Sequence, residues 1–110
     1  MAVFGNWIGS DEFKVPQGRF VVAAGSSSAS VTLSRANNGG WRPQLVSITA
    51  VGADIRWNWN DAASATTYYI KNGDTIKMRV PYINDDPTLH ALRNASTDGT
   101  LEIITWEEQS

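Results

Sequence analysis

Apolar and polar residues alternate with a period of two over most of the chain, which is the pattern of β-strands that bury one face. The strictest alternation covers residues 54–60. There Ile55, Trp57 and Trp59 fall on one side, and polar residues fill the other. Because an isoleucine shares the side of the two tryptophans, we expect that side to face a hydrophobic core and Trp57 to be buried.

The same alternation, interrupted by glycine, proline and asparagine, predicts seven or eight strands and no helix. The predicted strands cover residues 19–24, 29–34, 44–51, 54–60, 66–70, 75–80, 88–95 and 100–106. Residues 71–74, with an Asn-Gly pair, and residues 96–99 carry hairpin chemistry, the first that of a type I′ turn. The spacing predicts an all-β chain with a single small antiparallel β-sandwich, jelly-roll-like or immunoglobulin-like.

The first eighteen residues lack this alternation. They carry an apolar set, interspersed with glycines and a proline, made of Phe4, Trp7, Ile8 and Phe13. We expect residues 1–18 to form an extended N-terminal arm and residues 19–110 to form the sandwich. The apolar set must be buried somewhere, and two arrangements remain open: an edge strand on its own domain, or docking on a neighbouring subunit.

Composition narrows the chemistry that the chain can perform. The 110 residues include no cysteine and one histidine, and the net charge is −2. These counts exclude disulfides, thiolate metal sites and a cysteine nucleophile, and we expect no cofactor. The slightly acidic balance and the absence of a long apolar run argue against nucleic-acid and membrane partners. The first residues show no basic segment followed by an apolar one, so no signal peptide is predicted.

Catalytic constellations are poorly supported by the pattern. His90 lies within a predicted strand, and no serine motif accompanies it. Adjacent carboxylates such as Asp85 and Asp86 would point to opposite faces of a strand, so they cannot act as a pair. The segment 84–86 offers oxygen ligands but lacks the regular spacing of a calcium loop. We therefore expect a non-enzymatic protein without a metal site.

The aromatic residues support an alternative, a carbohydrate-binding or adhesion module. An exposed face carrying Trp57 and Trp59 would stack against sugar rings. Other aromatic residues lie nearby in the sequence, namely Trp41, Tyr68, Tyr69 and Tyr82. Trp41 follows a glycine pair and is ambiguous between the core and the surface. We place it with the four apolar residues of the arm as a candidate partner contact.

The second half of the chain, over residues 46–106, resembles a class of small β-sandwich proteins in the virions of tailed bacteriophages. These are the proteins that decorate or cement the capsid. Most of the likeness is carried by the Ala-Asp-Ile-Arg strand at residues 53–56 and the Ser-Thr-Asp-Gly-Thr-Leu segment at residues 96–101. The arm and the first two predicted strands add nothing to the resemblance.

This resemblance implies a place on the outer capsid surface after synthesis in the host cytoplasm. Such proteins are usually homotrimers that bridge neighbouring major capsid subunits and resist the internal pressure of the DNA. They have no catalytic residues, so none is carried over. Other virion positions, such as a head fibre, neck or tail component, remain alternatives.

Overall fold

The computed structural model describes residues 16–81 and 85–106. They form eight strands and no helix: β1 (Pro16–Ala24), β2 (Ala29–Thr32), β3 (Leu45–Val51), β4 (Ile55–Trp59), β5 (Tyr68–Ile70), β6 (Thr75–Arg79), β7 (Thr88–Arg93) and β8 (Gly99–Trp106). The predicted all-β class is confirmed. Strand β1 starts three residues earlier than predicted, because Pro16 already pairs with Trp106 across the ladder.

The strands form two four-stranded antiparallel sheets, here called sheet A with the order β1-β8-β3-β6 and sheet B with the order β2-β7-β4-β5. The first strand pairs with the eighth, the second with the seventh, the third with the sixth and the fourth with the fifth. This nested pairing is that of a hairpin wrapped into two sheets, which is the jelly-roll topology. Of the two predicted sandwich types, the jelly roll is therefore the one observed.

Both predicted hairpins are wrong. The turn at residues 71–74 joins β5 in sheet B to β6 in sheet A, and the turn after β7 likewise crosses between the sheets. Gly73 has a φ of +88° whereas Asn72 has a negative φ, which fits a type II turn, not type I′. The Asp74 amide closes this turn by donating to the Lys71 carbonyl over 2.9 Å. Turn chemistry specifies a reversal of the chain, but not which strand pairs with which.

The core lies between the inner faces of the two sheets. Alternate residues of β1, β3, β7 and β8 are buried there, and residues from the β2–β3 connection and from β4 and β5 complete the core. Trp57 is 5% exposed, which confirms its prediction. Trp59 is only partly buried at the margin of this core, where its indole N–H lies 3.4 Å from the Met78 sulfur.

Candidate functional site

One of the five predicted partner contacts lies within the described residues. Phe4, Trp7, Ile8 and Phe13 fall outside them. Trp41 is 70% exposed, the largest exposed fraction of any bulky apolar side chain in the described part of the chain. A tryptophan ring left in water forgoes the burial that its size favours. Its position therefore singles out Trp41 as a candidate contact for a partner.

The loop that carries Trp41 is fixed by a buried side chain. Asn38 is completely buried and donates from Nδ2 to the Trp41 carbonyl over 2.8 Å. Its Oδ1 accepts a hydrogen bond from the hydroxyl of Thr105, which is also completely buried. Gly39 and Gly40, with φ of +70° and +86°, provide the backbone conformation between Asn38 and Trp41. The exposed ring thus stands on an ordered support.

A second set of bonds ties the same loop to the connection between β6 and β7. Arg35 donates from Nε to the Asp86 carboxylate over 3.2 Å, and the Leu33 amide donates to the Pro87 carbonyl over 2.8 Å. Leu33 itself is completely buried. The loop is therefore held at both its beginning and its middle, and this restraint lowers the entropy that a partner must remove on binding.

Trp41 lies at the end of the sandwich where both terminal segments join it. Asn38, which holds the Trp41 carbonyl, lies 3.4 Å from Gln17 at the start of β1 and also contacts Thr105 near the end of β8. Strand β1 therefore begins beside the loop that exposes Trp41.

The alternative of a sugar-stacking face on Trp57 is not observed, because that ring is buried, as predicted. The exposed aromatic rings are instead those of Tyr68 and Tyr69 on β5, which are 60% and 43% exposed. The Tyr68 ring stacks on Trp57 with the ring centroids 4.7 Å apart and the planes 27° apart. Tyr68 is the first residue of β5, an edge strand of sheet B, so its side chain lies at the margin of the core although it is on the inner face. Sequence alternation gave no signal for this exposure, since edge position depends on long-range pairing.

Tyr69 belongs to a polar cluster on the outer face of sheet B. Its hydroxyl donates to Asp54 Oδ2 over 2.8 Å, and the Arg56 guanidinium lies 4.9 Å from the centroid of its ring. The Asn72 amide donates to the other carboxylate oxygen of Asp54 over 2.8 Å. This amide and, to a lesser extent, the Tyr69 hydroxyl lower the pKa of Asp54, whereas the bond to the carboxylate raises the pKa of Tyr69.

Two of the residues considered for catalysis or metal binding, His90 and Asp86, have structural partners, and residue 84 lies outside the described residues. His90 Nε2 lies 3.2 Å from the Thr88 hydroxyl, and Asp86 forms its ion pair with Arg35. Within residues 16–81 and 85–106, no three histidine or acidic side chains are grouped so that they would hold a metal ion. The described residues also include no helix of the length and apolarity needed to cross a membrane.

Comparison with protein-family models, curated proteins and solved structures finds no match for this chain. The surfaces of the described chain that point to a function are the Trp41 loop and the exposed rings of Tyr68 and Tyr69 on β5.

Proposed function

We propose that the chain is a non-enzymatic structural protein of a tailed-phage virion, one that decorates and cements the outer capsid by bridging major capsid subunits. In this proposal it acts as a homotrimer and contacts its partners through Trp41 and the N-terminal segment with Phe4, Trp7, Ile8 and Phe13. The resemblance over residues 46–106 suggests this class of protein. The jelly roll is compatible with it, since the fold occurs in viral capsid domains, but also in lectins.

The observation that carries the proposal is the exposed Trp41 ring on its restrained loop. Interfaces concentrate their binding energy in a few residues, and tryptophan is enriched among them. The Asn38 bonds fix the backbone that carries the ring before any partner binds, which reduces the ordering cost of association. Strand β1 begins beside this loop, since Asn38 lies 3.4 Å from Gln17, which supports the proposal that the segment preceding β1 and Trp41 contact the same partner.

The experiment is a binding assay with capsids of the phage whose genome encodes this protein. The capsids are assembled in the absence of the protein, which is then added. We expect the full chain to be a trimer by light scattering and to sediment with the capsids. Trp41→Ala should weaken capsid binding by about 2 kcal/mol or more, roughly thirtyfold in Kd. Tyr69→Ala is the matched control, because it removes an exposed aromatic ring from a different surface and should leave capsid binding unchanged.

Deletion of residues 1–15 tests the second contact. Strand β1 begins at Pro16, so the deletion leaves all eight strands in place, and we expect a folded sandwich that no longer binds capsids. Retained binding would remove the N-terminal segment from the interface. A full chain that stays monomeric and does not bind expanded capsids would overturn the proposal.

A further inference from the structure

We infer that the cavity beside Tyr68 binds a neutral saccharide, with the Tyr68 ring as the stacking surface. The cavity has a volume of about 390 Å³ and is lined by Asn58, Thr66, Thr67 and Tyr68. Its lining comes from β4, β5 and the connection between them, and includes no residue of the Trp41 loop. The inference is therefore independent of the proposed virion role.

The first support is the state of the Tyr68 ring. One of its faces is stacked on the buried Trp57 ring, and this contact fixes the position of the Tyr68 ring. The remaining surface is open, since the residue is 60% exposed. A flat, apolar ring held in this way can pack against the C–H face of a sugar ring with little loss of side-chain freedom.

The second support is the set of ordered polar groups on and beside the cavity lining, here called the polar rim. Ser64 and Thr67 bond each other twice, the Ser64 amide to Thr67 Oγ1 over 3.1 Å and Thr67 Oγ1 to the Ser64 carbonyl over 3.0 Å. The Thr66 hydroxyl lies 3.1 Å from that of Ser64. Asn58 accepts from the Trp59 amide over 3.0 Å through Oδ1 and keeps one N–H of its amide group for a further bond. Such ordered hydroxyl and amide groups match the hydroxyl groups of a sugar.

The third support is the charge of the lining, which selects among ligands. Asn58, Thr66, Thr67 and Tyr68 are all uncharged. The Arg56 guanidinium, close to the lining, is already engaged, because it donates to the Thr67 carbonyl over 3.1 Å and to Asn94 over 2.8 Å. The lining thus offers neutral donors and acceptors around one aromatic ring, a combination that suits an uncharged, hydroxyl-rich ligand better than a phosphate or carboxylate.

The test is isothermal titration calorimetry of the full chain with maltohexaose, cellohexaose and chitohexaose, and with oligogalacturonate as the charged comparison. We expect one neutral probe to bind with a Kd in the millimolar range or tighter and to shift the amide resonances of residues 58 and 64–68. Tyr68→Phe, which keeps the ring, should bind almost as well as the wild type. Tyr68→Ala should bind at least about tenfold more weakly.

Two further variants separate loss of the site from loss of the fold. Tyr69→Ala removes the neighbouring exposed ring, which does not line the cavity, and should bind like the wild type. Thr66→Val keeps the Tyr68–Trp57 stack but removes a hydroxyl of the rim, and should also weaken binding. The inference is overturned if no neutral probe binds at tens of millimolar, if only oligogalacturonate binds, or if Tyr68→Ala and Thr66→Val bind like the wild type.

Discussion

The two most exposed aromatic rings of the described chain, Trp41 and Tyr68, are held in opposite ways. Hydrogen bonds from Asn38 fix the backbone beneath Trp41, and its ring stays 70% exposed. Tyr68 lies on an edge strand and is fixed through its ring, which stacks on Trp57. A ring fixed only at its base suits insertion into a pocket of a partner. A ring backed on one face suits a flat ligand on the other. The same kind of side chain therefore supports two different kinds of contact.

The largest effect should come from removing the support of Tyr68. Trp57→Ala deletes a large side chain that is 5% exposed and should lower the free energy of unfolding by about 3–5 kcal/mol. Trp57→Phe should cost much less, because it keeps a ring and because the buried indole N–H has no acceptor among the described residues. Urea denaturation of both variants measures the difference. Equal losses of unfolding free energy in the two variants would show that the indole N–H has a hydrogen-bond acceptor or that neighbouring side chains cannot pack around the smaller phenyl ring.

The next effect concerns the support of Trp41. Asn38→Ala removes the donor to the Trp41 carbonyl and the acceptor of the Thr105 hydroxyl, both in a buried site. Leaving the Trp41 carbonyl unpaired, and the Thr105 hydroxyl with only the Gly18 carbonyl 3.3 Å away, should lower the free energy of unfolding by about 1–3 kcal/mol. The Trp41 side chain should become mobile, as measured by NMR relaxation of its indole N–H, while the relaxation of Tyr68 should not change. A variant whose Trp41 stays ordered would show that other bonds hold the loop.

The sequence predicts the burial of Trp57 but not the exposure of Tyr68, which stacks on it. Period-two alternation located all eight strands and predicted that Trp57 is buried, because burial of one face is a local property of a strand. The same alternation puts Tyr68 on the face of Ile70, yet Ile70 is 2% exposed and Tyr68 is 60% exposed. Both residues lie on the edge strand β5, but Tyr68 is its first residue and Ile70 its last, and the bounds of β5 depend on pairing between distant strands.

The candidate sites show the same division. Trp41 was predicted as a contact from its glycine-rich neighbourhood, but the buried Asn38 that supports it had no sequence signal, because its partner Thr105 is 67 residues away. The Asn-Gly turn was assigned to a hairpin since local chemistry defines the reversal alone. Its hydrogen bonds to Ala50 on β3 show that it joins the two sheets instead. Non-local pairs thus decided what local patterns left open.

Removing each of the two rings should have a smaller effect on the free energy of unfolding, and the loss should be larger for Tyr68 than for Trp41. Tyr68→Ala loses the stacked contact with Trp57 and should cost about 0.5–1.5 kcal/mol of folding free energy. Trp41→Ala removes a ring with little burial and should change stability by less than about 0.5 kcal/mol. Paired thermal and urea denaturation measures both. If Trp41→Ala is the more destabilising, its ring contributes to the fold and is less free to engage a partner than proposed.

The smallest effect concerns Tyr69 and should depend on pH. Among the described residues, Tyr69 is held by its hydroxyl and not by stacking on another aromatic ring. The pKa of Asp54 is lowered in the folded chain, so its stabilising contribution is complete above about pH 3.9 and is lost as the pH falls through the lowered value. The pKa of Tyr69 is raised, so its contribution is complete below about pH 10 and is lost as the pH rises through the raised value. The stability difference between the wild type and Tyr69→Phe should therefore be largest between these limits and shrink at both ends.

Tyr68→Phe is the control, because stacking does not titrate in the acid range. Urea denaturation from about pH 2 to 7 measures the acid side, and a Tyr69→Phe difference that stays constant there would show that the hydroxyl does not support the Asp54 carboxylate.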